Sequence, residues 1–183
     1  MSKDFYDLCY DQYRQEMNEA DTLYQKAGVM LVALPVLAGA IVYVGRIDLI
    51  NLALTRVDSF LYHAAAVVGM LAIGVSVVHL FLCIYPKQYK TLASMNVWHA
   101  WREEYQAYLK SKKKDAKDDP TEPLDEATIK ELCSRLVEAQ PANAQINEKR
   151  RIHFQKSVLM AGIASIAIGF QALFYLLLQI QGV

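Results

Sequence analysis

The chain is poor in cysteine, proline and glycine, with three, five and eight of them in 183 residues, and its formal charges cancel. Cys9, Cys83 and Cys133 are odd in number and show no CxxC spacing, which argues against both a disulfide framework and a zinc site. GxSxG, HExxH and a phosphate-binding loop are all missing, and no pair of carboxylates lies inside an apolar run as a proton relay would require. The sequence contains no internal repeat. Its most informative scarcity is local. Three stretches, Ala27–Gly45, Ser59–Pro86 and Ser157–Val183, contain no Lys, Arg, Asp or Glu. A bilayer core about 30 Å thick is crossed by about 20 apolar helical residues, so each stretch is long enough to span it.

The expected fold is therefore an all-α integral membrane protein, three transmembrane helices with long cytoplasmic helical extensions. Residues outside the spans are too few for a large soluble domain with its own core, since domains typically run to about 100–150 residues. With catalytic motifs missing as well, no enzyme, cofactor or metal site is expected. Haem is disfavoured for the same reason: His63 and His79 are 16 residues apart, about 24 Å along a helix, and spans one and three hold no histidine.

Orientation follows from Lys and Arg. The loop between spans one and two has only Arg46 and Arg56, whereas the segment 87–156 is basic at both ends, with Lys87 and Lys90, then Lys149, Arg150, Arg151 and Lys156. That places the N-terminus and 87–156 in the cytoplasm and the C-terminus outside, periplasmic in a bacterial inner membrane. The acidic first 26 residues do not resemble a signal peptide, so span one should be retained. The chain divides into a cytoplasmic amphipathic helix (1–26), a transmembrane hairpin (27–86), a cytoplasmic helical region (87–156) with a mobile linker at 112–123, and a third transmembrane helix (157–183).

Within the first part, Tyr6, Tyr10, Tyr13, Met17, Ala20 and Tyr24 recur every three or four residues, a seam that packs on a neighbouring helix or forms an oligomer interface. No Gly or Pro interrupts residues 5–27, so the helix should run into span one, where Pro35 should kink it. Pro86 should end span two, and an aromatic amphipathic helix should follow to about Ser111, against the inner leaflet or on the N-terminal helix. A further helix should end or bend at Pro141.

Span three carries Ala161, Ser165, Gly169 and Ala172 on one face, and span two a shorter version in Ala65, Gly69 and Ala72. Small residues let helix backbones approach in lipid, within one protomer or across a homo-oligomeric interface. Gln171, Ser165 and Ser76 are the candidates to line a pore, or to bond neighbouring helices. Lys149, Arg150, Arg151 and Lys156 would contact anionic lipid or a trigger. No nucleic-acid partner is expected.

Two local patterns carry a family resemblance. Glu16, Ala20, Asp21, Lys26 and Ala27 lead into the first span; Asn147, Lys149, Arg150, Phe154 and Ser157 lead into a last span with Gly162, Gly169 and Phe170. With the order of elements, these resemble the small membrane effectors of bacterial anti-phage defence, the Pycsar-type transmembrane effectors and the related SLATT proteins. The resemblance covers both ends of the chain and its topology, not the middle, and no nucleotide-binding domain is recognisable. It implies an oligomeric effector that permeabilises the inner membrane and arrests the infected cell. The trigger is left open among a phage protein, a cyclic nucleotide and a partner protein; a non-conducting membrane scaffold is the alternative.

Overall fold

The computed structural model describes residues 3–45, 56–93, 95–115 and 124–180. They form four helices, α1 (Lys3–Gly45), α2 (Arg56–Ile84), α3 (Met95–Asp115) and α4 (Leu124–Ile180), with no strand among the described residues. α1, α2 and α4 are each long and apolar enough to cross a membrane. Most of the Gly45–Asp58 loop, residues 116–123 of the expected linker and the C-terminal Gln-Gly-Val lie outside the described residues.

Two expectations need correction. Pro141 does not end a helix: α4 runs through it for 57 residues. A proline removes one amide donor, and the turns around it are held by the buried Ala139 and Asn143. The helix after Pro86 begins only at Met95 and extends to Asp115, so 112–115 is helical rather than linker. The reason lies at Lys90, whose backbone N–H donates to Asn143 Oδ1 (2.9 Å) and whose carbonyl accepts from Asn143 Nδ2 (2.9 Å). One carboxamide thus satisfies both main-chain groups of a residue outside any helix.

The chain divides into two compact units, Met1–Ala20 with Lys87–Asn147, and Asp21–Pro86 with Glu148–Val183. In the first, Cys9, Cys133, Leu136 and Ala139 are buried. Asn147, one turn beyond Asn143, donates to the carbonyl and the carboxylate of Glu16 (2.7 and 2.8 Å) and accepts from the Tyr89 hydroxyl (2.6 Å). Burial, then the neighbouring Cys9, push the Cys133 thiol above its ordinary range. Because the thiolate is the reacting species, peptide mapping after alkylation near neutral pH should find Cys133 labelled at least about tenfold more slowly than an exposed thiol. Comparable rates would mean that this core opens readily.

The second unit contains the three apolar helices. Its interior pairs alanines with larger aliphatics: Ala27, Leu34, Leu80 and Ala161 form one cluster, and Ile41, Ala72, Ile73 and Ala164 another. Its exterior is apolar on every helix, with Val32 and Val36 on α1, Val67 and Leu71 on α2, and Leu159 and Ile166 on α4 each more than half exposed. In water such a surface would aggregate; in lipid, where apolar side chains gain nothing by turning inward, it is the required arrangement.

Candidate functional site: a polar seam in the membrane unit

Inside this apolar unit, α2 and α4 run antiparallel and meet through a row of polar pairs. Ser76 and Ser157, both fully buried, exchange hydrogen bonds: each hydroxyl donates to the other's carbonyl (2.8 and 3.0 Å) or to the other hydroxyl (2.9 Å). One turn further along, His79 and His153 bring their Nδ1 atoms to 3.2 Å. At the end of α2, Arg150 donates to the Tyr85 carbonyl (3.2 Å) and to the Tyr24 hydroxyl of α1 (2.6 Å), with its guanidinium 4.6 Å from the Tyr24 ring. The Tyr85 carbonyl is left over where Pro86 cannot continue the helix, and a cation there also complements the negative end of the helix dipole.

Towards the other end of the seam, Gln171 Nε2 donates to the Tyr62 carbonyl (3.3 Å), while the Tyr62 hydroxyl donates to Val44 O in the last turn of α1 (2.5 Å). Gln171 is fully buried, and its Oε1 has no hydrogen-bond partner among the described residues. An amide oxygen left unpaired in a dry interior costs on the order of 1–3 kcal/mol, so this end of the seam favours a further donor. Between Gln171 and Ser157, α4 presents Ala161 and Ala164 to the interior, and that stretch is apolar.

The structure distributes the residues singled out from sequence as follows. Gln171 and Ser76 are both in the seam, inside one protomer, whereas Ser165 is exposed and its hydroxyl donates back to Ala161 O (2.9 Å). Ala161 and Gly69 are buried within the unit, and a Cβ on Gly69 would lie 2.8 Å from Ile41 Cδ1 and 3.3 Å from Ala167 Cβ. Ala65 and Ala172 are half-buried; Gly169 is exposed, with open space where a Cβ would project. Lys149, Arg151 and Lys156 are exposed, Arg151 paired with Glu148, whereas Arg150 is buried. Tyr6 stacks on Tyr10 (centroids 6.1 Å apart); Tyr13 and Met17 are half-buried, and Tyr24 serves Arg150.

Sequence reading missed the serine and histidine pairs and the roles of Asn143 and Tyr89. A signal was available for the α4 members: Asn143, Asn147, Arg150 and Ser157 continue the three-to-four-residue spacing of Cys133 and Leu136, so one face of α4 is polar where an apolar core face would be expected.

The first unit holds two adjoining cavities of about 360 and 560 Å³ that share Leu92, Ala93 and Trp98. Trp101 lines the smaller one, and its cations are already paired, Lys90 with Glu138 (2.6 Å) and Arg135 with Glu131 (2.9 Å). The hydrogen bond from Lys90 holds the exposed Glu138 carboxyl below its ordinary range. Tyr6, Tyr10 and Arg102 line the larger one. α3 contributes no buried side chain among those described; its Trp101 and Tyr105 stack on each other at 5.2 Å. Among the described residues, no three of His, Cys, Asp or Glu converge as a metal site would need.

A membrane-spanning three-helix unit with a buried polar seam and a cavity-bearing helical unit occur in one chain, and the family model for the Pycsar effector protein domain, PycTM, matches residues 6–178. The chain belongs to the Pycsar effector family. Neither the curated proteins nor the solved structures contain a match to it. This Pycsar effector is thus a membrane effector of anti-phage defence, and the match runs through the middle of the chain as well as both ends.

Proposed function

We propose that this Pycsar effector assembles into an oligomeric pore in the bacterial inner membrane, and that infection triggers the assembly to permeabilise or depolarise it. The observation that carries this reading is the polar seam: Ser76, Ser157, His79, His153 and Gln171 meet between helices whose outer faces are apolar, and polar side chains inside a membrane mark pathways for ions or protons. Hydrogen bonds hold α2 and α4 together along the seam, so it conducts only once they part and several copies contribute. The exposed Gly169 supports association between copies, because nothing fills the space beside it.

The N-terminus and residues 87–156 are assigned to the cytoplasm on the basis of their Lys and Arg, with the C-terminus periplasmic. The trigger, whether phage protein, cyclic nucleotide or partner protein, would act on this part, and the cavities beside Trp98 are where it has room to bind. It promotes assembly only by binding the assembled form more tightly than the resting one. No catalytic step is assigned to the protein.

The test follows membrane potential with a voltage-sensitive dye in bacteria carrying the complete defence system, with and without phage. Wild type should depolarise only on infection, and Gly169→Leu should reach the membrane at normal levels and reduce the depolarisation at least about tenfold, because the new side chain keeps neighbouring backbones apart. Protected cells with an unchanged potential would overturn the pore in favour of a non-conducting scaffold.

A further inference from the structure

The histidine pair is unlike the other contacts of the seam. The two Nδ1 atoms are 3.2 Å apart while the ring centroids are 5.4 Å apart, so the imidazoles meet tip to tip rather than face to face. Both rings are half-buried. Two nitrogens in this arrangement need one proton between them: one ring donates N–H and the other accepts with its lone pair. A single added proton is tolerated, because an imidazolium donating to a neutral imidazole is a charge-assisted hydrogen bond. A second is not, because both Nδ1 atoms then carry hydrogen, neither can accept, and two positive charges face each other.

We infer that His79 and His153 form a proton-operated latch that holds α2 against α4 when the pair shares a proton and releases them when each ring holds its own. Release would part the neighbouring Ser76–Ser157 contact, since it lies one turn away on the same two helices.

The surroundings favour release over accommodation of the second proton. From α4, Arg150 contributes a fixed positive charge on the pair's own face; Lys149, Arg151 and Lys156 are exposed on the same helix. From α1, Tyr24 is engaged by Arg150, and Lys26 is exposed. From α2 come the buried Cys83 thiol and the exposed Tyr85 phenol. The carboxylates with described side chains in this unit, Asp21 and Glu148, are both exposed, and Glu148 is taken by Arg151.

The sign follows from linkage. The parted form takes up one more proton than the latched form, so acid shifts the equilibrium towards parting, by up to about tenfold for each pH unit. Building on the pore reading, this makes the effector self-reinforcing: a membrane leak that lets protons into the cell acidifies the compartment that holds the latch open.

The experiment uses the full chain in lipid bilayers and reads the seam directly, by amide hydrogen exchange corrected for the intrinsic effect of pH. Between about pH 7.5 and 5.5, protection across residues 76–83 and 150–157 should fall by at least about tenfold in wild type. The doubly substituted His79→Gln, His153→Asn protein keeps a hydrogen bond that cannot titrate, and its protection should not change. Constant protection in wild type, or the same fall in the double variant, would overturn the latch; if the variant does not fold, the wild-type titration decides alone. Dye release from vesicles, measured on the same samples, separates the two proposals: a seam that opens in acid without release keeps the latch and shows that parting alone does not make the pore, whose own test is the depolarisation of infected cells.

Discussion

Gly69→Leu should leave almost no folded protein in detergent extracts of the membrane, whereas Gly169→Leu should be recovered at the wild-type level. The two glycines look equivalent in a helical wheel of small residues, but the space around them differs. At Gly69 the first added carbon would already sit 2.8 Å from Ile41 Cδ1 on α1 and 3.3 Å from Ala167 Cβ on α4. The Ile41 tip can rotate, but Ile41 is itself only 2 % exposed and the Ala167 Cβ cannot yield without moving α4. Overpacking typically costs about 1–3 kcal/mol for an extra methylene or two, which sets the scale for Gly69→Ala; leucine exceeds it because every rotamer must displace a helix. Gly169 has nothing within reach, so its substitution tests association between copies without disturbing the protomer. Monodisperse, wild-type yield of Gly69→Leu on size exclusion would show that α1, α2 and α4 do not pack as described.

Arg150→Ala should lower stability by on the order of 3 kcal/mol, since a hydrogen bond from a charged donor contributes about 1.5–3 kcal/mol and this guanidinium donates to both Tyr24 and Tyr85. For a chain of this size that corresponds to a fall in Tm of roughly 10 °C in detergent. Arg150→Lys should recover only part of the loss. An ammonium keeps the charge near the end of α2 but lacks the planar fork that reaches a carbonyl and a phenol at once, and it stacks less well on the Tyr24 ring. Tyr24→Phe should fall between wild type and Arg150→Ala, because the ring face remains while the acceptor is lost. A wild-type melting temperature for Arg150→Ala would mean that the cation is not carrying the junction of these three helices. The result also bears on function, because Arg150 stands next to the histidine pair and its removal takes away a charge that opposes the second proton. If the latch operates as inferred, a folded Arg150→Met protein should part its seam at lower pH than wild type does.

Much of the architecture was legible in the chain as written. Charge-free stretches of sufficient length, the uninterrupted run from residue 5 through span one, and the aromatic helix after Pro86 are properties of neighbouring residues, and hydropathy and spacing report them directly. Two boundaries differ from what local rules give. Pro141 looked like a breaker because local rules count its missing amide but not the buried Ala139 and Asn143 that stabilise the turns beside it. The late start of α3 depends on Asn143, 53 residues away in the sequence from the backbone it satisfies.

The candidate site was less legible. Ser76 and Gln171 were marked as polar groups in spans, which is a composition statement; that Ser76 meets Ser157, and that Gln171 turns inward to Tyr62, are pairings between residues 81 and 109 positions apart. His79 and His153 are 74 positions apart, and because neither neighbourhood in sequence contains the other, nothing local shows the pair. Arg150 was grouped with Lys149 and Arg151 by adjacency, although a helix turns each successive residue by about 100° and only the middle one of the three faces inward.

The sequence by itself determined that this protein lives in a membrane and is helical throughout its spans, since those conclusions follow from local hydropathy and periodicity, and its match to the family model over residues 6–178 places it with the Pycsar effectors. Only the tertiary structure decided which of two similar glycines is packed and which is open, which basic residue is buried, and which polar groups form pairs. Those outcomes depend on the face each helix turns toward its partners, and in a bilayer, where apolar side chains are equally at home inside or out, that face is chosen by close packing and hydrogen bonding rather than by hydrophobicity.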